Sequence, residues 1–210
     1  TYDELLQRTI DYADAIRHQA PGATIAGPSI RGWQIYFYSA LDQAEGIDKR
    51  PDRRVHDDLP LLAWYLGKLR GHERRTDVRL LDMLDVHFFP LDGTQQAGES
   101  ITNEQRIRAT RSLWDPTFRD DRLGKEPMRL IPRMQHLIQE NYPGLGLSIG
   151  AYGFGAESEM SGALALAEAL GRFGQLGVAA AYHWRAPVAG SPADFAFRAY
   201  RNYDGKCSTL

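Results

Sequence analysis

Stretches with apolar residues at helical spacing alternate, four times along this chain, with short runs that are apolar on both faces, and that alternation leaves few folds open. Leu5, Leu6, Ile10, Ala13 and Ile16 predict a first helix, entered at Thr1-Tyr2-Asp3-Glu4 with Thr1 as N-cap and Glu4 at the third helical position. Pro21-Gly22 ends it before a short strand over 23–27 that closes on Gly27-Pro28. Leu59, Leu62, Ala63, Leu66 and Leu69 predict the buried stripe of a second helix, followed by a buried strand over 84–89. Helices over about 103–114 and 132–141 lead to a strand over 145–151, and a helix over about 158–173 leads to a strand over 177–184. Residues 42–58 read as a charged surface excursion, and residues 91–102, rich in Gly, Gln and Thr, as a second one.

Short strands joined through helices call for a parallel sheet in an α/β protein. Four such units make either half of a (β/α)8 barrel or a complete open sheet of four or five strands. In both, sites are built at the carboxyl ends of the strands. The polar and aromatic residues fall there, at 28–33, 87–90, 151–154 and 183–185. Thr1 stands where an initiator Met would, and a first residue that already caps a helix reads as a chain with something missing before it; the polar tail 204–210 reads as equally open.

Composition removes other classes. Cys207 stands alone, so a disulfide scaffold is excluded. No run of about 18 apolar residues occurs, so no membrane-spanning helix is expected. The 25 basic residues are matched by 27 acidic ones without a long block of either sign, so no nucleic-acid partner is expected.

Most motifs fail on inspection. Gly144-Leu145-Gly146 with Gly150 has the wrong spacing for a dinucleotide loop and precedes a strand. Gly27-Pro28-Ser29-Ile30-Arg31-Gly32 lacks the spacing of a nucleophile elbow. Six histidines show neither H-x-H nor H-E-x-x-H pairing, so neither a metal site nor any other cofactor is expected. His87 and His183 differ from the rest in lying at predicted strand ends, where a satisfied core histidine and a site residue are equally good readings. Trp33, Phe88, Phe89, Tyr152, Phe154 and Trp184 share that location across four units. If the strands are neighbours, their rings line one mouth, as suits a carbohydrate whose apolar ring faces stack on indole and phenyl groups. Phe89 and Phe154 are expected to cap the interior instead.

Several runs resemble glycoside hydrolase family 44, a family of endo-β-1,4-glucanases and xyloglucanases. They are Ala26-Gly27-Pro28, Trp33 with Tyr36-Phe37-Tyr38-Ser39-Ala40, Leu80-Leu81-Asp82 through Asp85-Val86-His87, Arg111-Ser112-Leu113-Trp114-Asp115-Pro116-Thr117, Leu130-Ile131-Pro132-Arg133-Met134 and Ala196-Phe197-Arg198-Ala199-Tyr200-Arg201-Asn202-Tyr203-Asp204-Gly205-Lys206. The resemblance covers essentially the whole chain and implies a single domain over 1–210, the C-terminal half of a TIM barrel, roughly strands 5 to 8 with their helices. It also implies a retaining mechanism on two glutamates, and the departures fall there. The family's N-E-P motif, which carries the acid/base glutamate, does not occur. The run that resembles the family's nucleophile segment I-T-E-Y-N-F-G is Ile149-Gly150-Ala151-Tyr152-Gly153-Phe154-Gly155, with Ala151 in the glutamate's place. D-V-H-Y-Y-P is represented by Asp85-Val86-His87-Phe88-Phe89-Pro90.

The resemblance therefore implies descent from β-glucan hydrolysis in a chain not competent for it alone. Ala151 marks the vacated nucleophile position, and Trp33, His87, Phe88, Tyr152 and Trp184 are the expected lining of a residual glycan cleft. Glu157 and Glu159 are expected to cap the following helix, and Arg133 and Asp115 to be structural, as an ion pair or cap. The expected partners are β-glucan or xyloglucan and, to cover the unpaired strand edges of a half barrel, either a missing N-terminal half or a second copy of the chain. The family's polymeric substrates imply secretion; no signal peptide is present in the sequence. The rival reading is a non-catalytic glycan-binding or half-barrel assembly module.

Overall fold

The computed structural model describes residues 1–90, 101–120 and 126–201. Most of the second expected excursion, 91–102, lies outside the described residues, as do the tail 204–210 and Cys207.

The chain runs as α1 (Tyr2–Gln19), β1 (Ala26–Arg31), a 3-10 turn (Gln34–Tyr36), α2 (Ala40–Glu45), α3 (Pro51–Val55), α4 (Leu61–Thr76), β2 (Met83–Phe88), α5 (Asn103–Ala109), a second 3-10 turn (Thr110–Leu113), α6 (Leu130–Asn141), β3 (Gly146–Tyr152), α7 (Met160–Gln175), β4 (Ala180–His183) and α8 (Pro192–Tyr200). The strands form a four-stranded sheet in the order β1-β2-β3-β4, with β1 and β2 parallel. This is the α/β arrangement that the alternation predicts, and it accords with the partial barrel that the resemblance implies.

By contacts the chain divides into two compact units, Thr1–His87 with Met134–Ser148 and Phe88–Arg133 with Ile149–Leu210. In the first, Thr1 caps α1 as expected, its hydroxyl accepting from the Glu4 N–H at 3.2 Å. Tyr2 is fully buried, its ring stacked on His56 at 4.7 Å and its hydroxyl within reach of the Phe37 and Leu59 carbonyls. Leu62, Leu66 and Leu69 of α4 bury with Leu80, Leu81, Leu84 and Val86.

Two expectations are corrected in this unit. The first strand lies at Ala26–Arg31 rather than 23–27, because the chain pairs with Met83–His87 through Gly27, Pro28 and beyond instead of turning at them. The charged stretch 42–58 is not an unpacked excursion but holds α2 and α3, with Asp42 and Asp52 buried. The cause is capping. Ser39 and Asp42 form a capping box on α2, and the other oxygen of Asp42 accepts from the N–H groups of Asp52 and Arg53 at 2.8 and 3.2 Å, closing the start of α3. Carboxylates that read as surface charge are consumed by helix ends.

In the second unit α7 buries a face of small residues, Ser161, Gly162, Ala163, Ala165 and Ala169, with Leu166 and Phe173. Gly162 is required by space: a Cβ there would lie 2.1 Å from the Ala156 carbonyl oxygen. α8, which no sequence expectation covered, is capped by Ser191 with Pro192 in the first turn, and its Tyr200 hydroxyl donates to the Ala167 carbonyl at 2.9 Å.

Candidate functional site

The strand ends of the first unit carry a polar cluster. The pairing of β1 with β2 matches Pro28 to Asp85 and Ile30 to Val86, so Ser29 is bulged out of register with a φ of 57°. A bulge re-aims a side chain. Here the Ser29 hydroxyl donates to Asp85 Oδ2 at 2.6 Å. Asp85 is buried, and its other oxygen, Oδ1, has no hydrogen-bond partner. His87 follows on the same face of β2, two residues on, with Nε2 3.7 Å from Asp85 Oδ2. Burial pulls the His87 imidazole below its ordinary pKa; the Asp85 charge opposes this and Arg31 adds to it. The Tyr36 hydroxyl donates to the His87 carbonyl at 2.6 Å, and burial beside Asp85 raises that phenol well above its usual range. Trp33, half-buried, sits edge-on to Phe37 at 4.9 Å and to Tyr36 at 6.1 Å.

The strand ends of the second unit are different in kind. Ala151 and Tyr152 close β3, both buried. The Tyr152 ring packs edge-on against Phe173 at 5.0 Å and His183 at 5.4 Å, while its hydroxyl is buried without a partner; burial raises the phenol well above its usual range. Phe88 is buried against Phe154 at 5.9 Å. Trp184 is the outward-facing member of the group, 57% exposed, its backbone N–H donating to the Tyr152 carbonyl at 2.9 Å and its ring edge-on to Phe89 at 6.0 Å. His183 Nδ1 meets the Arg185 carbonyl, and its Nε2 lies 3.7 Å from Glu157 Oε1.

Neither glutamate caps α7 through its side chain. Glu157 faces His183, and Glu159 occupies the N-cap position with no side-chain cap bond. Asp115 is structural, as expected, but its partners are Arg111 at 2.7 Å and the Thr117 N–H and hydroxyl at 2.7 and 2.8 Å; Arg133 instead donates to the carbonyls of Pro127 and Met128. The Thr117 N–H first, with its hydroxyl and Arg111, holds the Asp115 carboxyl down at about 2 against burial.

Sequence reasoning singled out His87 but missed Asp85, Ser29 and Arg106. Arg106 is buried, donates Nη1 to the Phe154 carbonyl and leaves Nε unpaired; burial pulls its guanidinium below the usual range, with Glu159 opposing. A signal for Asp85 was present, an acid between Leu84 and Val86 in a strand otherwise fit for a core. Among the described residues no group of three or more His, Cys, Asp or Glu could hold a metal ion, and no helix is long and apolar enough to cross a membrane.

Retaining glycoside hydrolysis needs a carboxylate to attack the anomeric carbon and a second, about 5 Å away, to protonate the leaving oxygen and later activate water. In the first unit β2 carries the buried carboxylate of Asp85, and in the second unit β3 ends in Ala151 and Tyr152. Aromatic faces and hydrogen-bonding groups are present at strand ends in both units, and aromatic faces are surfaces on which apolar ring faces stack.

The sequence profile of glycoside hydrolase family 44 matches residues 1–92. Endoglucanase A of Paenibacillus lautus is 35% identical over 216 residues, covering 98% of this chain and 30% of that protein. Beta-mannanase/endoglucanase A of Caldicellulosiruptor saccharolyticus is 30% identical over 232 residues, covering 99% of this chain and 17% of that one. The solved structure of CelM2, a bifunctional glucanase-xylanase from a metagenome library, superposes with a TM-score of 0.91 at 36% identity, covering all of this chain and 41% of that one. A Paenibacillus polymyxa xyloglucanase from family 44, solved with xyloglucan, superposes at 0.80 with 28% identity, again over the whole chain and 42% of the xyloglucanase. The chain thus spans less than half the length of each of these relatives.

Proposed function

Because the chain is a relative of glycoside hydrolase family 44, related in sequence and fold to endoglucanases and xyloglucanases along its whole length, we propose that it binds β-1,4-glucan or xyloglucan and, as this chain, does not hydrolyse it. What supports the reading is Ala151, buried at the end of β3 in the run that resembles the family's nucleophile segment, where the resemblance implies a glutamate. A methyl group can neither form a glycosyl-enzyme bond nor stabilise an oxocarbenium-like transition state. The side chains available for sugar contact in this reading are, in the first unit, the half-buried Trp33 as a stacking face and His87 as a polar contact and, in the second, the exposed Trp184 as a stacking face, while Phe88 and Tyr152 are buried. A polymer of this kind is met outside the cell, so the site of action in this reading is extracellular.

Affinity electrophoresis through gels containing soluble xyloglucan tests the binding. Retardation of the chain, relieved about 3- to 10-fold in apparent affinity by Trp184→Ala, is the expected result. Migration unaffected by xyloglucan or by carboxymethyl cellulose overturns it.

A second reading, assembly, is favoured by the sheet order, which leaves β1 and β4 at the two edges, and by exposed apolar side chains on one element of each unit, Tyr12 and Ile16 of α1 and Phe195 of α8. Exposed edges are commonly covered by pairing. In this reading a second copy or a separate N-terminal barrel half covers them, and a solution mass near twice 23.6 kDa supports the former.

A further inference from the structure

We propose that Asp85 is a positioning residue for His87, holding the imidazole with its Nε2–H turned inward so that Nδ1 accepts a hydrogen bond from a sugar hydroxyl. The proposal rests on the glycan-binding reading above and adds to it the residue that orients the polar contact.

Four observations carry it. Asp85 and His87 lie on one face of β2, and the carboxylate oxygen Oδ2 sits 3.7 Å from Nε2. A carboxylate on one side of a neutral imidazole favours the tautomer whose N–H points at it and leaves the opposite nitrogen as an acceptor. Asp85 is itself fixed: Ser29, bulged from the β1 register and held at a φ of 57°, donates to the same oxygen at 2.6 Å. Non-glycine residues in the left-handed region cost free energy and persist where the surroundings over-determine them. Finally, the Tyr36 hydroxyl donates to the His87 carbonyl at 2.6 Å, which pins the backbone that carries the ring beside the carboxylate. A core histidine needs none of this, and a buried carboxylate with Oδ1 unpaired is a costly way to make a strand end merely stable.

The groups that set the charge on His87 are Asp85, which favours the imidazolium, and Arg31, which disfavours it, against a burial that favours the neutral ring. At neutral pH the ring is therefore neutral and its tautomer is readable. Long-range proton–nitrogen correlation spectra of the intact chain carrying 15N-histidine, with His87 assigned through His87→Gln, are expected to show Nε2 protonated. An Nδ1-protonated His87 in the unaltered chain overturns the proposal without any variant having to fold. Asp85→Asn is expected to lower the His87 pKa, weaken the tautomer preference and reduce binding of xyloglucan oligosaccharide about 3- to 10-fold. A tautomer shift with unchanged affinity sinks the positioning role while leaving the glycan reading intact. An unaltered chain that binds no glucan sinks the glycan reading and this proposal's ligand with it, whatever the spectra show.

Discussion

The two units solve the same problem, a helix-covered strand end, with different materials. In the first, buried carboxylates are wired into the backbone: Asp42 closes the starts of α2 and α3, Asp52 accepts from the Tyr2 N–H at 3.0 Å, Asp82 takes Arg17 and the Ile25 N–H, and Asp85 takes Ser29. In the second, close packing of small residues and rings does the work, and the end of β3 carries a methyl group beside a phenol with no partner. Polar wiring fixes geometry but leaves charged groups dependent on each partner. Small-residue packing tolerates the loss of a functional group and not the gain of volume. A strand end of the second kind can lose a side-chain functional group and stay folded.

The largest effect expected from this contrast is at Gly162. Gly162→Ala places a Cβ 2.1 Å from the Ala156 carbonyl, against backbone that cannot rotate away. The cost is about 3 kcal/mol or more, a fall in Tm of roughly 10 °C by differential scanning calorimetry. A Tm within a degree of the parent breaks the claim that the second unit is held by tight packing. Next, Asp42→Ala strips acceptors from the N–H groups of Ser39, Asp52 and Arg53 and is expected to cost about 2–3 kcal/mol in urea melts. An unchanged midpoint would return the stretch 42–58 to a loop without structural weight.

Acid unfolding sharpens the comparison within the second unit, where Asp115 is the wired exception. Its folded pKa, about 2, lies below its ordinary 3.8, so it contributes stability that is present above pH 3.8 and is lost as the pH falls towards 2. Asp115→Asn should lower stability at neutral pH and flatten its decline across that window, followed by circular dichroism; a decline as steep as the parent's contradicts the assignment. The smallest effect is expected from Tyr152→Phe. Deleting a buried hydroxyl with no partner should be neutral or stabilising by up to about 1 kcal/mol. A clear destabilisation would show that this strand end is wired after all.

The sheet was legible because periodicity reports burial directly, and α1, α4, α7, β2 and β3 follow their apolar patterns to within a few residues. What was missed shares one cause. Asp42, Asp52 and Asp85 are acids whose partners are backbone N–H groups or a distant hydroxyl, and a sequence does not display such partners. α8 carries a Ser191-Pro192 entrance that does mark a helix, but it follows a stretch without apolar period. His87 near the end of β2 and Trp184 just after β4 lie at the strand ends where the pattern put them. The bulge that brings Ser29 to Asp85 is a property of strand pairing and could not be read from either segment alone.

Reducing-end release from soluble xyloglucan and carboxymethyl cellulose, by the intact chain at high concentration against a heat-inactivated control and a Glu157→Gln variant, tests the account most directly. The account predicts no release above the control with either protein. Release by the unaltered chain that is lost in Glu157→Gln would contradict it, and would assign the chemistry to the carboxylate facing His183 instead of to a position now held by Ala151.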